Sequence, residues 1–340
     1  MRQFTLVKYG RASEAFELNE VQSPIPEPSQ LLIQVEGFGL NFADVMARQG
    51  LYREAPPLPF VPGYEVVGVV IGQGKQVSGL WVGKRVVAFT RFGGYADTAL
   101  ADYRAAAPID PQVSGAVACA LATQYCTAYY MTDYAYTLRG GGIALIHAAA
   151  GGVGTALVQL CKRKGLFTIG LCGSDAKREY LVALGVDLPI RYKEEDYAAI
   201  IEKKFGHRSV DYIFNTTMGP SFSVDRRLLS PGGKLFCFGG ASRSGSRPSL
   251  VRDLSFFLRT GFISPLFTMM QSQAIIGVNM LRLADEKIEI IGACLRELVA
   301  LNRTGEIEPS VGGEFSFSEL SDAHGLLESG KSTGKLYVSW

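Results

Sequence analysis

Between residues 143 and 278 the chain alternates short apolar runs with amphipathic stretches, and no other feature constrains its fold as much. IALIHA (143–148), FTIGLC (167–172), VDLPI (186–190), VDYIF (210–214), KLFCF (234–238) and AIIGV (274–278) read as strands. TALVQLCKRKG (155–165) and DAKREYLVALG (175–185) read as helices between them. Alternation at this spacing predicts an α/β unit, a doubly wound parallel sheet with helices on both faces.

The chain before residue 115 follows another pattern. LLIQVEGFGL (31–40), YEVVGVVIGQG (64–74) and KRVVAF (84–89) are short, Val- and Ile-rich, and bounded by Gly/Pro clusters. They predict a compact, mostly β unit with many turns. After residue 284, KIEIIGACLRELVALNRTG reads as a long helix stopped by Gly305, and a last helix and strand follow. At 340 residues the chain has room for two domains.

Composition removes several function classes. A net charge of +2 without a dense Lys/Arg block argues against nucleic acid. The apolar stretch from Ala116 to Met131 carries Thr and Gln and falls short of the ~20 residues a membrane span needs, so it reads as a buried helix between domains. The six cysteines (119, 126, 161, 172, 237, 294) contain no C-x-x-C and no signal peptide precedes them. They read as reduced thiols of a cytoplasmic protein.

The segment HAAAGGVG (147–154) sits between the first strand of the alternating region and a helix. It has the form A-x-G-x-x-G, with Ala149, Gly151 and Gly154. A pyrophosphate approaching backbone N–H groups at a helix start needs this spareness, and a side chain at Gly151 or Gly152 would block it. The plainer alternative is a tight turn that packs helix on strand. The next strand ends in Gly173-Ser174 without the acid that would bind a ribose 2′-hydroxyl. Asp175 reads as the N-cap of the helix AKREYL. Ser174, Lys177 and Arg178 suit a 2′-phosphate, or are solvent-facing helix residues, and loss of the acid with gain of the cations favours NADPH.

Four stretches together resemble a known family: LNFADVMARQGLY (40–52), PFVPGYEVVGVV (59–70), HAAAGGVG and LLSPGGKLFCFGGAS (228–242). They are similar to the medium-chain dehydrogenase/reductases, within them to the zinc-independent quinone oxidoreductases, and by the C-terminal third to the branch that contains the vesicle amine transport protein. The resemblance implies a GroES-like catalytic domain over 1–120, completed by 285–340, and a Rossmann domain over 121–284, commonly in a homodimer. It places the nicotinamide beside Asn41, Phe42, Asp44, Thr127 and Tyr130. Ala150, Gly151, Gly152 and Val153 fall at the pyrophosphate, and Gly173 and Tyr192 near the adenosine phosphate. Asn215, Phe238, Gly239 and Ala241 complete the cofactor set, and Asn215 also lies at a strand end where such sheets meet ligands.

Zinc-dependent relatives carry a Cys after the second strand and a G-H-E motif, where this chain has Gly39-Leu40-Asn41-Phe42 and Gly63-Tyr64-Glu65. Three histidines and scattered cysteines do not supply a tetrahedral site, so no metal is expected. Without a Lewis acid the expected substrate is a small hydrophobic quinone or α,β-unsaturated carbonyl, which accepts hydride readily. Asn41 and Tyr52 are the candidate donors to the substrate oxygen, although Tyr52 also reads as loop packing and Asp44 as a helix cap. Two other functions stay open: a nucleotide-binding trafficking protein with little turnover, and an enoyl-thioester reductase. His147 reads as a packed, hydrogen-bonded core histidine.

Overall fold

The structure, a computed structural model, describes residues 1–239 and 263–340. Seven of its strands precede residue 115: β1 (Arg2–Leu6), β2 (Phe16–Glu20), β3 (Gln30–Leu40), β4 (Glu65–Gln73), β5 (Arg85–Phe89), β6 (Thr98–Asp102) and β7 (Ala106–Pro108). Six form the alternating region: β8 (Ile143–Ile146), β9 (Phe167–Cys172), β10 (Leu188–Arg191), β11 (Val210–Asn215), β12 (Leu229–Cys237) and β13 (Ala274–Gly277). β14 (Val311–Ser316) and β15 (Lys335–Ser339) come last.

The chain divides into two compact units, Met1–Thr127 with Met280–Trp340, and Ala128–Asn279. The divisions fall after Thr127 and before Met280, where the sequence suggests 120 and 285. Packing explains the shift. The helical turn Leu121–Tyr125 packs on β5 and on the helix Ile288–Arg303 of the first unit. Leu281 and Ala284 join Tyr64, Phe89, Ala105 and Ile291 in a core cluster of that same unit.

In the first unit β15 is inserted in the order β14-β15-β3-β4-β5-β7, with β6 pairing β3. Alternate residues of β3 (Leu31, Ile33, Val35) point into a core shared with Val66, Val86 and Val338, as a half-exposed antiparallel strand requires. The helix Ile288–Arg303 buries Ile291, Cys294, Leu295 and Leu298 along one stripe and ends at Gly305, whose φ is +75°.

The second unit holds a parallel sheet in the order β10-β9-β8-β11-β12-β13. This is the doubly wound arrangement with its crossover reversal between β8 and β11, where such sheets bind ligands beyond their carboxyl ends. Each predicted strand is found within a few residues of its place. β12 is the largest departure, starting at Leu229 rather than 234 because Leu229 pairs with Val210 ahead of a register shift.

Candidate functional site

In the second unit, β8 leads into a turn and then the helix Gly152–Arg163. Ala148 adopts a positive φ of 48°, and Gly151 N–H donates to Ala148 O at 2.9 Å, closing the turn. Gly151 precedes the helix with extended backbone, and among the described residues no side chain caps the helix start. The first N–H groups of a helix have no partner inside it, so those of Gly152 and Val153 can serve as anion donors. Gly154 is required: a methyl there would overlap the Ala148 carbonyl and the Ala149 backbone.

The tip of β9 differs from expectation in its capping. Ser174, not Asp175, is the N-cap of the helix Asp175–Ala183, its Oγ accepting from Lys177 N–H at 3.4 Å. Asp175 is the first helical residue, and its carboxylate pairs with Arg191 at 2.7 Å. The acid nearest this tip in sequence is therefore neutralised from the end of β10, a partner the sequence does not advertise. Arg178 faces Glu195 at 3.9 Å. Tyr192 is 48% exposed, and its N–H donates to Cys172 O.

At the end of β11, Asn215 is fully buried and its side chain is used within the fold. Nδ2 donates to Asp225 Oδ2 at 2.6 Å and Ser221 Oγ at 2.9 Å, while Oδ1 accepts the N–H groups of Thr217 and Met218. Asn215 shapes the loop at the strand ends instead of offering its amide to a ligand. His147 belongs to the same network, with Nε2 2.9 Å from Asp225 Oδ2 and Nδ1 3.3 Å from Thr217 Oγ1. It is a satisfied interior histidine. Asp225, Thr217 and Ser221 escape the sequence reading because nothing in helical spacing separates a buried Asp from a surface one. Phe238 N–H donates to Asn215 O, and Gly239 lies against Thr216. Ala241 falls outside the described residues.

In the first unit the candidate residues gather where β3 runs into the helix Phe42–Arg48. Asn41 is the N-cap and Asp44 the third helical residue, its Oδ2 accepting Asn41 N–H at 2.8 Å. The cap expected of Asp44 is thus a reciprocal one. Asn41 Nδ2 donates to both Glu65 oxygens, at 2.9 and 2.7 Å. Thr123 Oγ1 donates to the same carboxylate at 2.5 Å. Lys335 Nζ donates to Glu65, to Leu40 O and to Asn41 Oδ1. Glu65 and Lys335 are both fully buried. The Asn41 amide is therefore turned into this ion-pair network, where the sequence suggested a donor to substrate. Gly39 makes the network possible, since a methyl there would overlap the Glu65 carboxylate and the Lys335 side chain.

Burial, with the Glu65 charge adding to it against the Asn41 N–H and Lys335, raises the Asp44 carboxyl to about 7. Tyr52 is pushed up to about 12, by burial first and then by Glu54 and Asp44, so it keeps its proton at neutral pH. Its ring meets Tyr64 edge-on, with centroids 6.4 Å apart. Tyr64, in place of a histidine ligand, packs with Phe92 in the interior. Phe42 is half-buried, and Thr127 Oγ1 donates back to Thr123 O at 2.7 Å. Tyr130, in the second unit, stacks on Tyr134. π-helical turns occur at Leu121–Tyr125 and Tyr130–Tyr134, a rare geometry enriched near functional sites.

Burial pushes the Cys237 thiol up to about 12 and those of Cys119, Cys126 and Cys161 further. None of these four offers a thiolate at neutral pH. Among the described residues no group of three or more His, Cys, Asp and Glu side chains is placed to hold a metal, and no helix is long and apolar enough to cross a membrane. Leu266, Phe267 and Met270 are exposed beside Arg226.

Residues 27–133 match the alcohol dehydrogenase GroES-like domain, and residues 184–338 match a zinc-binding dehydrogenase domain. The human synaptic vesicle membrane protein VAT-1 homolog is 33% identical over 316 residues, covering 93% of this chain and 80% of its own. Human quinone oxidoreductase is 27% identical over 340 residues, covering 99% and 97%. A mycobacterial protein solved in complex with NADPH superposes with a TM-score of 0.84 at 25% identity, over the whole of both chains. The GroES-like unit, the doubly wound unit and these similarities agree: the chain belongs to the medium-chain dehydrogenase/reductases, in the group of the quinone oxidoreductases and VAT-1 proteins.

Proposed function

We propose that this protein is an NADPH-dependent reductase of quinones or α,β-unsaturated carbonyls that works without zinc. The observation that carries the reading is the open helix start at Gly151–Val153, with no side chain among the described residues capping it. Gly152 and Val153 would hold the pyrophosphate, and Ser174 and Lys177 the adenosine end, where Asp175 is already neutralised by Arg191. The NADPH complex of the mycobacterial relative supports this assignment. When bound, NADPH supplies the hydride.

The chain's own contribution in the first unit is a protonated phenol and a locked amide. Tyr52 holds its proton and donates to the substrate oxygen as negative charge develops there. Asn41 enters as the residue that fixes the end of β3, its amide held by Glu65 and Lys335. The substrate gains one hydride and one proton, the latter drawn from solvent.

A panel of free quinones, enones and enoyl thioesters, followed by NADPH absorbance, tests the proposal. Turnover with quinones or enones supports it, and turnover confined to thioesters replaces it with a thioester reductase. NADPH binding without oxidation by any acceptor would favour a nucleotide-binding role, a reading prompted by the 33% identity to the VAT-1 homolog. Stoichiometric zinc in the purified protein would refute the metal-free mechanism. A homodimer belongs to the same proposal, on the strength of the family resemblance, and light scattering tests it.

A further inference from the structure

The loop after β10 folds back over the tip of β9 and brings a residue that the sequence did not single out. A methyl group at Gly173 would lie 3.4 Å from Lys193 Cε, 3.7 Å from its Nζ and 3.7 Å from the Tyr192 ring. Lys193 therefore sits directly over the strand tip. Lys177 lies in the first turn of the helix that starts at this tip, its N–H donating to the Ser174 hydroxyl at 3.4 Å. Its ammonium is held below the ordinary lysine range, by burial first and in part by the Lys193 charge.

Two like charges brought together are unfavourable unless a counter-charge lies between them. Among the described residues neither lysine forms an ion pair. The neighbouring carboxylates are engaged elsewhere. Asp175 and Glu194 each pair with Arg191 at 2.7 Å, and Glu195 accepts Arg191 N–H at 2.8 Å while facing Arg178. Arg178, the other cation the sequence offered for a phosphate, is thereby turned to Glu195.

We infer that Lys177 and Lys193 form a two-cation clamp for a dianionic phosphomonoester, the 2′-phosphate of the cofactor, and that Lys193 rather than Arg178 sets the preference for NADPH over NADH. The inference rests on the reading of this site as an NADPH site. Ser174 remains able to donate its hydroxyl hydrogen to the same phosphate, since its N-cap bond uses only a lone pair.

The test is a fluorescence titration of NADPH and of NADH into the full-length protein and its Lys193→Gln, Lys177→Gln and Arg178→Gln variants at one fixed ionic strength. All three residues lie at least partly in solvent, so the variants should fold as the parent does. Lys193→Gln and Lys177→Gln should each raise the Kd for NADPH by about tenfold, the worth of one charge-assisted contact, and leave that for NADH within about twofold. Arg178→Gln should leave both within about twofold. An unchanged NADPH affinity in Lys193→Gln, or a loss in Arg178→Gln as large as that in Lys193→Gln, would overturn the clamp. Equal affinity of the unsubstituted protein for NADPH and NADH would instead overturn the cofactor reading beneath it, and the clamp with it.

Discussion

Replacing Lys335 by methionine probes the ion pair that organises the first unit. Lys335 and Glu65 are fully buried, and the ammonium also serves Leu40 O and Asn41 Oδ1. Without the cation, the carboxylate stays in the interior with two neutral donors among the described residues, the Asn41 amide and the Thr123 hydroxyl. Breaking a buried pair from one side costs about 3–5 kcal/mol, and the two surviving donors place this case at the lower end, about 3 kcal/mol. For a unit of this size the loss corresponds to a fall of roughly 6–12 °C in Tm. Glu65→Gln alone strands the ammonium and should cost a similar amount. The double variant carries neither charge of the pair, and the side-chain carbonyl that Glu65→Gln introduces still accepts from Thr123. It should therefore regain about 2 kcal/mol or more over Lys335→Met. Calorimetry and urea unfolding of the four proteins measure the coupling. If the double variant loses the sum of the two single losses, the pair is not coupled and the reasoning fails.

Three further outcomes concern single side chains. Tyr52→Phe should lower kcat with a quinone by about tenfold and leave the NADPH Kd unchanged, and an unaltered kcat would remove the phenol from the reaction. Asp44, raised to about 7 when folded, favours the native state less as pH rises from about 4 through 7, because the unfolded chain ionises first. Asp44→Asn should abolish that decline, so its stability relative to the parent must grow between pH 4 and pH 8. His324 is held down to about 3 by burial, with Arg48 adding, so the fold loses stability as pH falls below about 6.5. His324→Gln, which can still accept from Tyr95, should flatten that acid limb in a pH series of urea midpoints.

The parallel strands were legible because each is a short apolar run between turn residues, and the glycines of 151–154 marked the turn after the first of them. What stayed hidden was whatever depends on residues distant in sequence meeting in space. Asn41 could be read as a free donor only while Glu65 and Lys335 were unplaced, since its partners lie 24 and 294 positions away. Asn215 reads as available in the sequence, but Asp225 and Ser221 consume its amide. At the β9 tip the cap falls to Ser174, whose backbone is still extended while Asp175 already begins the helix, and charge counting alone cannot divide Arg178 from Lys193. Local pattern reports which element a residue occupies. The pairing of its side chain is set by topology.

β15 enters the first sheet between β14 and β3, although the whole second unit intervenes in sequence. A growing chain thus completes the strands of the second unit while the first still waits for the segment that carries Lys335. Until then residues 37–40 of β3 have an open edge and Glu65 has no cation beside it. Nascent chains halted before residue 335 should hold a finished nucleotide unit tethered to an unfinished partner with a sticky edge. Successful maturation of the first unit is therefore tied to translation reaching that lysine, and chaperone demand should concentrate on the interval before it does.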